Sequence, residues 1–197
     1  MFGANNQGMA QRRHHYEAAF EELLRARRIP YVAVDEARKA LLPSGVEFKG
    51  TSAGVTASAD DALKCFDFVV YGGAGNLLVD IKGRKVARRA ANRAAAPAPR
   101  SSLQSWVTQD DVWSISRWRS LFGAGFDAAF VFVYWCEDQP PDGLFQDVFE
   151  HRGRWYAVRS VQLDRYTASM KTRSAKWRTV HVPVREFERI SGPFVGA

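Results

Sequence analysis

Long apolar runs are missing from this chain of 197 residues. No stretch approaches the ~20 apolar residues that a membrane-spanning helix needs. The polar start, Met1 to Arg13, has no apolar core of the kind a secretory signal carries, so the sequence predicts a cytoplasmic protein without a membrane anchor. Cysteine is scarce. The two present, Cys65 and Cys136, sit in apolar strand-like runs without C-x-x-C spacing. That argues against a zinc site and predicts two buried, reduced thiols. Acidic residues are outnumbered: 21 Asp and Glu stand against 28 Lys and Arg, for a net charge of +7. Such an excess favours a polyanionic partner, nucleic acid above all, although a merely solvated basic surface has the same composition. What the chain does have is core material, with 46% hydrophobic residues and six tryptophans in a length that suits one domain with an appendage.

Hydrophobic periodicity divides the chain. Residues 1–10 read as disordered. Tyr16, Ala19, Phe20, Leu23 and Leu24 follow helical spacing within 11–28, and Pro30 stops that helix. Tyr31–Val34 reads as a strand, residues 36–41 as a short helix capped by Asp35, and 43–59 as a loop with a small strand at 46–48. Two apolar strands follow, at 65–71 and 76–82, joined through Gly72-Gly73-Ala74-Gly75. Residues 84–101, with Arg84, Lys85, Arg88, Arg89, Arg93 and Arg100 among Ala and Pro, read as a mobile basic loop. Thr108 and Asp111 have capping-box spacing ahead of a helix striped by Val112, Ile115, Trp118 and Phe122, closed by Gly123. Residues 127–136 form a strongly apolar central strand. Beyond it come a turn at 140–143, a hairpin of 145–149 with 155–161, a short helix at 163–170, a strand at 179–182 and a terminal helix at 184–190. The order predicts an α/β fold in which helices flank a central mixed sheet. Residues 11–136 make the core, and 137–197 an α+β extension packed on it.

The two strands at 65–82 carry charge where a plain core strand would carry Val or Ile. Asp67 lies on the first; Asp80 and Lys82 lie two apart on the second and so project from one face. Buried charge is costly unless it is paired or holds a metal. Carboxylates on adjacent strands suit hard divalent cations, which polarise a phosphoryl oxygen and acidify a bound water, and a nearby lysine can offset charge on phosphorus. A third carboxylate can come from the preceding helix, where Glu17 and Glu21 share one edge; Glu21 also suits a plain ion pair with Arg13 or Arg25.

Asp67, a dozen residues, and Asp80-Ile81-Lys82 resemble the PD-(D/E)XK nuclease superfamily, whose core is the restriction-endonuclease-like fold. Glu17-Ala-Ala-Phe-Glu-Glu-Leu-Leu before strand 31–34 is similar to the helical acidic segment of the archaeal Holliday junction resolvases. Phe66 replaces the common Pro, Asp80 the more usual Glu, and Arg28 stands where Gly is expected. His15-Tyr16-Glu17-Ala18-Ala19-Phe20-Glu21 also resembles the name-giving motif of the bacterial HYExAFE family.

The resemblance implies a Mg²⁺- or Mn²⁺-dependent endonuclease that hydrolyses phosphodiester bonds in DNA. Asp67, Asp80 and Glu17 would be the metal ligands, Lys82 the fourth catalytic residue, and a homodimer a common assembly. Arg84, Lys85, Arg88, Arg89 and Gln104 are the candidate nucleic-acid contacts, with Gln109 an alternative to Gln104. His14 and His15 are candidate extra ligands or plain surface residues of the helix start. In the tail, Arg152, Arg154, Arg159, Arg165, Lys171, Arg173, Lys176 and Arg178 interleave with Trp155, Tyr156, Tyr166 and Trp177, a mixture suited to phosphate neutralisation and base stacking or to the core of extra strands. Two alternatives stay open: a nucleic-acid-binding protein that does not cut, and a structural or interaction protein whose acids pair with Lys82 and Arg84.

Overall fold

The computed structural model describes residues 4–34, 63–73, 75–86, 103–137, 140, 145 and 147–196, with side chains from residue 15 onward. The helix expected at 36–41, the loop at 43–59, residues 87–101 of the basic loop and most of the turn at 140–143 lie outside the described residues, as does the His14 side chain.

The fold is mixed α/β. A six-stranded sheet runs in the order β1 (Tyr31–Ala33), β2 (Phe68–Tyr71), β3 (Asn76–Val86), β5 (Phe126–Cys136), β7 (Arg154–Gln162) and β6 (Asp147–His151). The β3–β5 pair is parallel, and every other neighbouring pair in this sheet is antiparallel. A small second sheet orders β4 (Val107–Thr108), β9 (Thr179–His181) and β8 (Lys171–Ser174). Helix α1 (Ala4–Ala26) covers one face of the large sheet; α2 (Gln109–Phe122), α3 (Leu163–Ser169) and α4 (Val184–Ile190) belong to the other.

Strand β5 is central because both of its faces are apolar. Ala128, Phe130, Phe132 and Tyr134 point to the α2 side, while Ala129, Val131 and Val133 point to α1. Phe20 and Leu24 of α1 are fully buried, and the Phe20 ring meets Phe68 and Phe194 edge-on at 5.5 and 4.9 Å. The tail is integral to this sheet: β6 and β7 form a hairpin turned by Arg152 and Gly153 at φ 51° and 71°. Asp147 of β6 accepts from Arg27 Nη2 at 2.5 Å and from the Phe194 N–H at 2.7 Å, tying the end of α1 to the C-terminal segment.

Several expectations need correction. Helix α1 begins at Ala4, so residues 4–10 are helical rather than disordered; Ala4, Gln7, Met9 and Ala10 are good helix formers, and extending a nucleated helix is cheap. Strand β3 reaches Val86 instead of stopping at 82, because parallel pairing with β5 continues to Val86↔Cys136. Arg84 and Lys85 therefore belong to a strand and not to the basic loop. Strand β8 was not expected, since Lys171-Thr172-Arg173-Ser174 has no apolar alternation. Its bonds to β9 hold it in place. Cys65 is exposed in the coil ahead of β2, whereas Cys136 is buried and its thiol is pushed up to about 11 by burial.

Arg28 occupies the position where a glycine would be usual. It adopts φ 55°, and the Ile29 and Arg28 N–H groups donate to the Leu24 and Arg25 carbonyls at 2.9 and 3.0 Å. This is the paired-bond helix termination that favours Gly, here built on a residue with a Cβ.

Candidate functional site

The site forms where β3 outruns β2. Pairing between them covers Asn76 to Val79, so among the described residues the β3 edge has no strand partner on that side from Asp80 onward. Alternation puts Leu78 on the α2 face and Leu77 and Val79 on the α1 face, so Asp80, Lys82 and Arg84 follow Leu78 toward α2. Asp67 is not in β2 but at the bend just before it. Its N–H donates to the Val79 carbonyl at 2.9 Å, and its Oδ2 accepts the Ile81 N–H at 2.6 Å. The carboxylate thus takes up a backbone donor that the end of β2 would leave unpaired.

Asp80 is 8% exposed, and its Oδ2 lies 2.9 Å from Lys82 Nζ. The same ammonium reaches Asp111 Oδ2 at 3.4 Å. Asp111 also takes Lys64 Nζ at 3.0 Å, and Lys64 donates to Thr108 Oγ1 at 3.1 Å. Asp111 belongs to the reciprocal cap of α2: Thr108 N–H donates to its Oδ2 at 2.8 Å, and its own N–H donates to Thr108 Oγ1 at 3.1 Å. One helix N-terminus is thereby bound to β3 and to the coil before β2.

The electrostatics follow from burial and charge. Asp67 is raised well above the ordinary carboxylate range, first by burial and then by the negative charges of Asp80 and Glu17; the Ile81 N–H and Lys82 oppose this. Asp80 is raised by burial, against the pull of Lys82. Burial works against the Lys82 ammonium, but Asp80 and Asp111 outweigh it and raise the lysine above its usual value. Asp111 is lowered to about 2: burial opposes this, and Lys82, the Thr108 N–H and hydroxyl, and Lys64 overcome it.

The negative charge of Glu17 on α1 adds to that of Asp80 in raising Asp67. The approach of α1 is close. A Cβ on Gly83 would lie 2.3 Å from Tyr16 Cδ2, so the Tyr16 ring rests where only glycine leaves room. Glu21 instead accepts from Arg25 Nη2 at 2.6 Å and Tyr31 Oη at 2.7 Å, an ordinary helix-surface network. Among the described residues, no three His, Cys, Asp or Glu side chains stand together as a ready-made metal cage.

The other candidates are placed as follows. His15 Nδ1 lies 3.1 Å from Tyr156 Oη, and its pKa is lowered by burial and by Arg154. The Arg84 guanidinium is committed inside the protein: it donates to the Gly83 carbonyl at 2.7 Å and to the Trp106 carbonyl, and it stacks 4.1 Å from the Trp106 ring. Lys85 is exposed, 2.5 Å from Glu137 and 4.8 Å from the Trp135 ring centre. Gln104 is exposed five residues before α2 begins, and its carbonyl accepts the Tyr134 hydroxyl at 3.1 Å; Gln109 is exposed at the first position of α2. Arg88 and Arg89 lie outside the described residues. In the tail, Arg159 is buried, donating to Ser191 Oγ at 2.9 Å, and Tyr156 and Tyr166 belong to the core.

Sequence reasoning missed Lys64 and the second role of Asp111. The signal for Asp111 was present as Thr108-x-x-Asp111, but spacing shows a cap and not the strand lysine that the cap meets. Compared with known protein families and with curated proteins, the chain matches none.

Proposed function

We propose that the chain is a metal-dependent nuclease that hydrolyses phosphodiester bonds in DNA, with Glu17, Asp67, Asp80 and Lys82 as its working residues. The observation that carries this reading is the meeting of Asp67, whose Oδ2 accepts the Ile81 N–H at 2.6 Å, with Asp80, whose Oδ2 lies 2.9 Å from Lys82 Nζ, where the β2–β3 pairing ends. Burial pushes Asp67 up first, and the negative charges of Asp80 and, more weakly, Glu17 add to it. A structural ion pair has no need for such like-charge crowding, whereas a cation site does. The donor set is oxygen only, which suits Mg²⁺ or Mn²⁺. Asp67 Oδ1 and Asp80 Oδ1 stay outside the hydrogen bond to Ile81 and the ion pair with Lys82. When bound, such a cation polarises a phosphoryl oxygen and acidifies a water.

The chain's own residues set the rest. Lys82, with its pKa raised by Asp80 and Asp111, keeps its proton at neutral pH. Its role is therefore to orient the attacking water and to offset charge developing on the phosphate, not to act as a general base. Ile81 N–H fixes one oxygen of Asp67, which holds the carboxylate's direction. The test is cleavage of plasmid and branched DNA with Mg²⁺ or Mn²⁺ by wild type, Asp80→Ala and Lys82→Ala. Loss of cleavage in both variants is expected, and equal activity in all three would sink the reading.

One observation favours a second reading, that of a structural latch. Lys82 and Lys64 both bind Asp111, so the charges also serve to fasten α2 to the sheet. A latch alone predicts no thermal stabilisation on titration with Mg²⁺ or Mn²⁺. A cation site predicts a rise that saturates.

A further inference from the structure

The small sheet carries a hairpin in which five of the seven exposed residues from Lys171 to Arg178 are basic or aromatic. From Lys171 to Arg178 there are four cationic residues, Lys171, Arg173, Lys176 and Arg178, and no acidic one. All four are exposed. Trp177 is 70% exposed, more than any other described aromatic residue, with Lys176 Nζ 5.5 Å from its ring centre. Strand β8 is a sheet edge, and Lys171 and Arg173 alone would be explained as charges that discourage edge pairing. An exposed tryptophan is the opposite of such protection, because it adds apolar surface to the place most prone to sticking.

The turn that carries Trp177 is held firmly. Trp177 N–H donates to Ser174 Oγ at 3.3 Å, and Arg178 N–H donates to the Ala175 carbonyl at 3.2 Å. Arg178 sits at φ 45°, an unfavourable value for a residue with a Cβ. It is kept there by Gln109 N–H donating to its carbonyl at 2.8 Å and by Asp110 at 3.1 Å from its guanidinium. Asp110 adjoins Asp111, which binds Lys82, so the hairpin is fastened to the helix end that borders the charged site. Arg173 and Arg84 both stack on Trp106, at 5.1 and 4.1 Å, giving a second link from the hairpin to β3.

We infer that the β8–β9 hairpin is a binding arm for single-stranded nucleic acid, with Trp177 as the stacking platform for an unpaired base and Lys171, Arg173 and Lys176 neutralising the backbone. The inference rests on the nucleic-acid reading above and sharpens it to unpaired strands. A tryptophan face can be covered only by a base that is out of its own stack, whereas duplex DNA presents phosphates and base edges. The flanking cations track the backbone on either side of the stacked base.

The test is fluorescence anisotropy with labelled oligo(dT) of about 16 nucleotides, the upper end of single-strand site sizes per binding fold, and a duplex of equal length, in EDTA so that nothing is cut. Trp177→Ala weakens oligo(dT) binding about tenfold or more, while Trp177→Phe stays within about threefold of wild type. Lys171→Gln and Lys176→Gln each flatten the slope of log K against log salt by about 0.7. Thermal melting of each variant reports its folding. Equal affinity of wild type and folded Trp177→Ala overturns the inference, as does tighter binding of the duplex by wild type. Cleavage with Mg²⁺ is scored separately. Trp177-dependent binding without cleavage removes the nuclease reading and keeps the arm; cleavage with Trp177-independent binding does the reverse.

Discussion

Replacing Asp111 by Asn isolates one charge at the junction of α2 and β3. The amide keeps an oxygen for the Thr108 N–H, so the helix cap survives, and the ion pairs to Lys64 and Lys82 are lost. The ionised form of Asp111 is favoured in the folded protein because its pKa is held at about 2, against 3.8 ordinarily. At about 1.4 kcal/mol per pH unit, that difference is about 2 kcal/mol of stability at neutral pH. The side chain is 14% exposed, so solvent screening takes little of this. An exposed ion pair would contribute only about 0.2–1 kcal/mol. The expected outcome is a loss of about 2 kcal/mol in urea or guanidinium unfolding at pH 7, or about 4–8 °C in Tm for a chain of this size. The sign with pH is fixed. A depressed folded pKa gives stability that is present above about pH 4 and lost as pH falls toward about 2, so the gap between wild type and variant closes over that window. A loss below about 0.5 kcal/mol, or a gap that does not change between pH 5 and the acid limit, would refute the account of Asp111 as the anchor of the cluster.

Three further outcomes follow from the same geometry. Asp67→Asn raises Tm at pH 7 by roughly 2–4 °C, because it removes a carboxyl whose ionised form is disfavoured in the folded state while keeping an acceptor for Ile81. The raised pKa means the wild-type penalty is absent below the unfolded value, grows as pH rises from there toward the folded value and then levels off, so calorimetry near pH 3 shows no difference. Arg28→Gly stabilises by about 0.5–1 kcal/mol in chemical denaturation, since it relieves a Cβ at φ 55° on an exposed residue. Gly83→Ala costs about 1–3 kcal/mol in the same assay, because the Tyr16 ring must leave its seat.

Most of the architecture was legible because the period of the hydrophobic pattern is a local property. Residues 127–136 read as a strand buried on both faces, and Thr108-x-x-Asp111 as the opening of a helix, and both are found there. The length of β3 was not legible, since Lys82-Gly83-Arg84-Lys85 has the composition of a loop and is held in the sheet by register with β5. Strand β8 failed for the same reason: its sequence has no pattern, and its partner supplies the order. At the site, parity alone placed Asp80 and Lys82 on one face. Asp67 lay off that pattern, because its side chain substitutes for a missing backbone partner, and no periodicity marks such a position. Asp111 is distant in sequence from both Lys64 and Lys82 and meets them only through the packing of α2.

That packing bears on how the cluster could work. Lys82 has two carboxylates within reach, Asp80 at 2.9 Å and Asp111 at 3.4 Å. A buried ammonium left without a partner costs several kcal/mol. On the nuclease reading, Asp80 must turn from the lysine toward a cation. With one partner only, that turn would strand the charge of Lys82. With Asp111 fixed in the α2 cap, the lysine keeps an anion whatever Asp80 does, and its proton stays in place. The second carboxylate therefore lets one set of side chains hold the fold together and still leave Asp80 available. It also makes Asp111 a positioning residue: Asp111→Asn should remove the alternative partner and lower the apparent Mg²⁺ affinity in a thermal-shift titration. A Mg²⁺ response unchanged in the folded variant would show that Asp80 is held or released without any help from α2.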